Sequence, residues 1–240
     1  MKILKYILTT IISILLLCST EYARGQQPQK EKKPQRTDNF IHMEGIRIGT
    51  NLSMPFQSFW TKGDRYGVEA NVDFELKPNL YPVAEIGWEK MKMDQDYVKY
   101  NSSGSYLRIG LNYNLLESES KKEKDILYIG CRYGLSYATQ QIESYTVNNS
   151  YWNVENVVSG SFPSQNYHCQ WIGLLLGLKG EIAKNFYMGW AIHYKVAVLK
   201  GNLDMPIASF APGYGNIEKG SAFDFTYSIA YNIPFRIGTR

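Results

Sequence analysis

No apolar run in this chain of 240 residues reaches the roughly twenty that a membrane-spanning helix requires. A mean hydropathy of -0.32 agrees with that exclusion of a helical membrane protein. Histidine is scarce: His42, His168 and His193 stand far apart, without the paired spacing of an imidazole metal site. Neither sign of charge dominates, with 26 basic against 22 acidic residues, and much of that small excess sits at the N-terminus in Lys2, Lys5 and Arg24. Nothing therefore points to nucleic acid as a partner, and neither a cofactor nor a metal is expected.

What the chain does have begins with an address. Lys2 and Lys5 precede ILTTIISILLLC (Ile7 to Cys18), and Ala23 and Gly25 occupy the small-residue positions before a cut ahead of Gln26. This is the three-part pattern of a cleaved signal peptide over 1–25. Cys18 offers a lipoprotein alternative, but Leu17 before it is bulky where small residues are usual. The next stretch, 26–43, opens with QQPQKEKKPQRTD, which has no apolar residue and two prolines, so a flexible periplasmic leader is expected. A barrel domain over 44–240 follows.

In AFDFTYSIAYNIPF (Ala222 to Phe235) every second residue is large and apolar. A period of two is the mark of a strand whose faces meet different surroundings. Seven more segments share it: 45–54, 66–76, 80–90, 105–116, 126–139, 169–182 and 186–199. Most of the eight run to 10–14 residues, against about five or six for strands of ordinary globular sheets. Lys77–Pro78–Asn79 and Ala183–Lys184–Asn185 are tight hairpin links, and the charged ESESKKEKD (Glu117 to Asp125) shares their end of the sheet. At the other end fall the links at 60–65, 93–104, 140–166 and 200–221. Short turns at one end and long loops at the other predict an all-β, eight-stranded antiparallel up-and-down transmembrane β-barrel, with short periplasmic turns and long outer loops.

The two faces decide between that barrel and a soluble lipocalin-like carrier. On the polar phase Gly49, Gly67, Gly87, Gly110, Gly130, Gly134, Gly173, Gly177 and Gly189 alternate with charges of both signs. The basic set is Arg47, Arg108, Arg132, Lys179 and Lys195, and the acidic set is Glu69, Asp73, Glu75, Glu85, Glu89, Glu181 and Asp224. Glycine with paired ions fits the crowded interior of a small barrel, which large aromatics would overfill. A polar lumen network of Arg47, Glu69, Asp73, Glu85, Arg108, Arg132, Lys195 and Asp224 is the candidate site. The apolar phase, as in Phe186, Met188, Trp190, Ile192, Tyr194, Val196 and Val198, carries no charge, as lipid contact demands. Tyr81, Phe186 and Phe235 at the turn end, and Trp60, Tyr66 and Tyr137 at the loop end, are placed to form aromatic girdles. Unpaired backbone in lipid costs several kcal/mol per group, so the first strand is expected to pair with the last.

The ordered set GIRIGTNL, SYLRIGLNYN, YIGCRYGLSYATQ, QWIGLLLGLKGE and FYMGWAIHYK resembles an uncharacterised family of small Gram-negative β-barrels, a domain of unknown function with a porin-like outer-membrane fold. The resemblance covers Gly45 to Arg240 and implies fold and location. It implies no activity. Phe235 is similar to the aromatic ending of such barrels, although IGTR extends past it.

Within the chain IRIGTN (Ile46 to Asn51) and LRIGLN (Leu107 to Asn112) repeat one motif, each setting Arg, Gly and Asn inward. The functional reading is a polar relay or ligand site, and the plainer one a space-filling lumen of ion pairs; either disfavours a passive pore. A lipid-modifying hydrolase or acyltransferase is the alternative function, but His193 faces inward and no strained nucleophile turn is visible. No enzymatic activity is expected. Cys131 and Cys169, counted from their turns, differ in height by about 20 to 30 Å, beyond disulfide reach, so both are expected free. Loops 141–166 and 200–221 are candidates for contact with an extracellular saccharide or protein. The second contains MPIASFAPGYG, which reads as a folded cap over the barrel mouth. The remaining expected partners are outer-membrane lipid and the barrel-assembly machinery.

Overall fold

A computed structural model describes residues 45–60, 64–95, 98–116, 125–148, 157–201 and 210–234. The expected signal peptide and leader, His42, most of the charged link after Leu116, and Phe235 lie outside the described residues. The chain divides by internal contacts at Asn39, and the barrel belongs to the second unit, Phe40–Arg240.

Eight strands carry the alternation: β1 (Ile46–Asn51), β2 (Arg65–Phe74), β3 (Leu80–Gln95), β4 (Val98–Asn114), β5 (Ile126–Asn148), β6 (Val157–Ala183), β7 (Phe186–Lys200) and β10 (Ser221–Ile233). Each pairs antiparallel with its neighbours in a closed ring, and β1 meets β10 from Ile46↔Ile233 to Asn51↔Ser228. Helix α1 (Ser53–Trp60) follows β1, and a two-stranded ribbon, β8 (Phe210–Ala211) with β9 (Gly215–Asn216), lies between β7 and β10.

The period of two fixes the faces as expected. Ile109, Ile129, Ile172, Leu176, Ile192 and Phe225 are exposed on the outside, while Arg47, Asp73, Glu85, Arg108, Arg132 and Lys195 are buried inside. Outward aromatics pair across β7 and β10, with Phe186 tilted on Tyr231, Trp190 stacked on Phe225 and Tyr194 against Phe223. Tyr66 meets Trp88 in the same way between β2 and β3.

Two expectations about aromatics are corrected. Tyr81 does not join an outer girdle: it falls on the inward phase of β3 and is buried. The lumen also accepts large aromatics, because glycine on a neighbouring strand clears space for each. A Cβ on Gly134 would sit 2.1 Å from the Trp171 indole, one on Gly87 2.4 Å from the Tyr106 ring, and one on Gly177 2.6 Å from Tyr128.

The loop end is also corrected. Residues 93–104 and 140–166 are not long loops, because β3 and β4 run to Gln95↔Val98 and β5 and β6 stay paired to Asn148↔Val157. Their apolar residues do not alternate strictly, and β5 carries register shifts after Gln140 and Ile142. Bulges of this kind break the period without ending the pairing. Strands β3 to β6 therefore rise above the rest of the rim as a wall. Met91, Met93, Val98, Tyr145 and Phe162 pack there around Tyr100, Ile142 and Phe210.

At the turn end Asn79 and Asn185 adopt φ of 67° and 64°, left-handed values that asparagine tolerates better than most residues. In each turn a glutamate four residues earlier accepts the asparagine N–H, Glu75 Oε1 at 3.2 Å and Glu181 Oε1 at 2.6 Å.

Cys131 and Cys169, the two cysteines among the described residues, are free. Cys131 is exposed opposite Leu174, and Cys169 is buried opposite Ser136. Five residues separate them, about 17 Å along the strand. That is less than counting from the turns suggested, since β5 starts opposite Lys179 rather than level with the turn. Oxidising Leu174→Cys is expected to give a Cys131 cross-link on nonreducing mass analysis, while in the unaltered chain Cys131 and Cys169 both stay alkylatable. A native Cys131 to Cys169 bridge would show the β5–β6 register to be wrong.

Candidate functional site

The lumen holds three tiers of ionic groups. Four of their cations have glycine opposite on at least one neighbouring strand: Arg108 opposes Gly134, Arg132 opposes Gly110 and Gly173, Lys195 opposes Gly173, and Lys179 opposes Gly189.

Nearest the turns, Asp73 accepts from Arg47 Nε and from Lys179 Nζ, the latter at 2.5 Å. The Arg47 guanidinium lies 4.6 Å from the Tyr81 ring and 5.6 Å from that of Tyr187. These tyrosines follow Asn79 and Asn185 by two residues each, so the repeated turn sequence delivers both sides of the cation's aromatic clamp.

In the middle tier Arg108 Nη2 donates to Glu69 Oε2 at 2.5 Å, and its Nε lies 2.6 Å from Glu85 Oε2 outside hydrogen-bond geometry. Arg132 Nε donates to Glu85 Oε1 at 3.0 Å and its Nη1 to Asn112 Oδ1 at 2.8 Å. The Tyr106 hydroxyl donates to Glu69 as well, and Asn51 Nδ2 reaches Glu69 Oε1 at 3.4 Å. Both asparagines of the repeated IRIGTN and LRIGLN motif thus support a charged group. His193 Nε2 is 3.1 Å from Thr226 Oγ1.

The third tier joins the barrel to its cap. Lys195 Nζ donates to Asp224 Oδ2 at 2.8 Å, to Gly213 O at 2.7 Å and to Tyr214 O at 3.4 Å. Glu89 accepts Arg65 Nε at 2.6 Å and the Gly213 N–H at 2.9 Å. The Phe210 carbonyl receives the Tyr167 hydroxyl, with Ser102 Oγ and Gln140 Nε2 each at 3.4 Å. Gly213, at φ 73°, rests on the Tyr106 ring where a Cβ would come within 2.5 Å. The described part of the expected cap therefore descends into the barrel mouth, where Ala211, Tyr214 and Ile217 pack with Trp171 and with Met54 of α1.

All eight residues of the expected network find ionic partners, but in three separate tiers rather than one cluster. Glu75 and Glu181, named with the inward acids but outside the expected network, accept the turn N–H groups of Asn79 and Asn185. Arg65, which falls at the end of the expected first loop, joins it, and the inward phase of β4 was the signal that could have found Tyr106. Between the tiers lies a cavity of about 30 Å³ bordered by Glu85, Arg108, His193 and Thr226. That holds a water or so, where a small-molecule site needs about 300 to 1,000 Å³. Among the described residues, no group of three His, Cys, Asp or Glu is disposed to hold a metal ion.

A family model described as a domain of unknown function, DUF6048, matches residues 3–237. The chain belongs to that family. No curated protein matches it. Among solved structures it is similar to Ail, the attachment invasion locus protein of Yersinia pestis, at 9% identity and a TM-score of 0.41, covering 81% of this chain and 100% of that one. It is also similar to the N-terminal β-barrel domain of Pseudomonas aeruginosa OprF, at 12% identity and a TM-score of 0.31, covering 80% of this chain and 99% of that one. Family membership agrees with the resemblance read from the sequence and brings no assigned reaction with it.

Asp73 answers two buried cations, so Asp73→Asn is expected to lower barrel stability by about 3 to 5 kcal/mol, as for a buried ion pair stripped of one partner. Urea unfolding of the refolded barrel would measure it. Glu75→Gln, which keeps an acceptor for the Asn79 N–H and the Tyr81 hydroxyl, should stay within about 1 kcal/mol.

Proposed function

We propose that the protein is an integral outer-membrane barrel with a structural or surface-binding role, not a conduit. The observation that carries this reading is the contrast between its faces. The outside presents uninterrupted apolar rows, as lipid contact requires. The inside is filled from turn to mouth by ion pairs, aromatics and the chain's own cap. A soluble carrier of the lipocalin kind would need the reverse, a polar exterior around an apolar chamber. With the lumen occupied, the outer surface is left for recognition. The paired β5–β6 ribbon above His168 and the capped mouth are the surfaces we assign to contact with a saccharide or protein.

The chain is expected to fractionate with the outer membrane, to show heat-dependent gel mobility, and to give no steady conductance in planar bilayers. Ile192→Lys, on the exposed face of β7, should reduce stability by about 2 to 4 kcal/mol and lower the amount of assembled barrel. Recovery of freely soluble protein, or normal assembly of Ile192→Lys, would show the barrel to be inside out.

A further inference from the structure

The ring is complete only in its lower part. β1 ends at Asn51 opposite Ser228, yet β10 continues upward to Ser221 and β2 to Arg65. Above that level no strand of the described chain joins β10 to β2. The chain turns instead into α1, whose first residue, Ser53, accepts the Tyr227 N–H on Oγ at 2.6 Å. The helix then leans on β2 far more than on β10.

This leaves a particular kind of edge. Leu52 N–H donates to Tyr227 O at 2.7 Å, so the backbone groups of Tyr227 point toward the β1 side. By the alternation of an antiparallel ladder, those of Phe225 and Phe223 do so too. Phe225 N–H is satisfied by Asp224 Oδ1 at 2.9 Å. The Phe225 carbonyl and both Phe223 groups face the gap with no strand opposite among the described residues. Lateral exposure of such groups to hydrocarbon is unfavourable, so this edge calls for a polar partner that can itself reside in a membrane.

The gap opens into a cleft of about 910 Å³ between α1 and β10, within the size range of ligand sites. Phe56, Phe223, Phe225 and Tyr227 form its apolar side, continuous with the outward row of β10. Phe59, Phe223 and Phe56 are the three most exposed large apolar side chains among the described residues, at 87%, 77% and 66%. The polar side has Arg65 paired with Glu89, Lys195 paired with Asp224, and Lys219 at the rim. Apolar wall, a backbone edge with no described strand opposite, and Lys219 come together near the loop end.

We infer that this lateral cleft binds a membrane lipid with a phosphate-bearing headgroup, its acyl chain lying along Phe223, Phe225 and Phe56. Its phosphate meets Lys219, and its ester oxygens accept the Phe223 N–H. The inference rests on the membrane reading above.

The test uses the full-length protein in lipid nanodiscs with a photoreactive p-benzoylphenylalanine in place of Phe56 or, on the far wall, in place of Ile109. The probes are dioleoyl phosphatidic acid and dioleoylglycerol. The Ile109 site is expected to cross-link to both lipids alike. The Phe56 site should favour the phosphorylated lipid by about fivefold or more, the increment of one basic residue near an anionic headgroup, and Lys219→Glu should remove most of that preference. Labelling at Ile109 with no preference at Phe56, or a preference that Lys219→Glu leaves intact, overturns the cleft. Failure of either lipid to label Ile109 overturns the membrane reading and the cleft with it.

Discussion

The interior of an eight-stranded barrel has room for about one layer of side chains, and everything inside this protein is arranged around that limit. Glycine on one strand faces a long cation or an aromatic ring on the next, as Gly134 does both Arg108 and Trp171. The cations in turn require acids, because a charge removed from water and left alone is far more costly than the pair. Arg47, Arg108, Arg132, Lys179 and Lys195 each find one. The outcome is a dense ionic interior inside an apolar shell, the inverse of a soluble domain.

Filling is completed at both ends by different devices. At the turn end two copies of one hairpin sequence, Glu-x-x-x-Asn-x-Tyr, supply Tyr81 and Tyr187 on either side of Arg47. At the mouth the segment Phe210–Ile217 folds inward, using its backbone carbonyls as acceptors for Lys195, Tyr167, Ser102 and Gln140. Carbonyls serve well here, since a loop descending into a charged lumen brings acceptors wherever the lumen has spare donors. The cap is thus part of the same hydrogen-bonded system as the walls.

Strand number, closure and the assignment of faces were legible in the sequence, because a period of two survives in every wall segment and the faces differ sharply in charge. The inward charges were legible for the same reason, down to the repeated Arg-Gly-Asn spacing of β1 and β4. Which acid meets which base was not, since pairing depends on the stagger between strands: Asp73 lies directly opposite Arg47, while Lys179 reaches it from across the lumen. The loop end misled because register shifts after Gln140 and Ile142 break the period of two, so the β5–β6 ribbon reads as a loop. Tyr81 shares the phase of Glu85 and Glu89, so the period of two already turns it inward, and only its place near the turn suggested a girdle. Helix α1 has too little alternation of either period to declare itself in eight residues.

The unequal heights of the wall follow from these same parts. On the β3–β6 side, long strands rise and shelter the cap, and Phe210 seats among Tyr100 and Ile142 as the apolar floor of that shelter. On the β1 side the strand gives way to α1, which sends Met54 inward to the Tyr106 hydroxyl while Phe56 and Phe59 remain outside. Extending β1 upward would close the ladder but would remove the residue that packs beneath the cap. Closing the mouth from within and closing the wall at the rim therefore compete for the same few residues after Asn51. The sequence satisfies the first, and so a lateral opening on the β1 side is a structural consequence of the capped lumen rather than an independent feature.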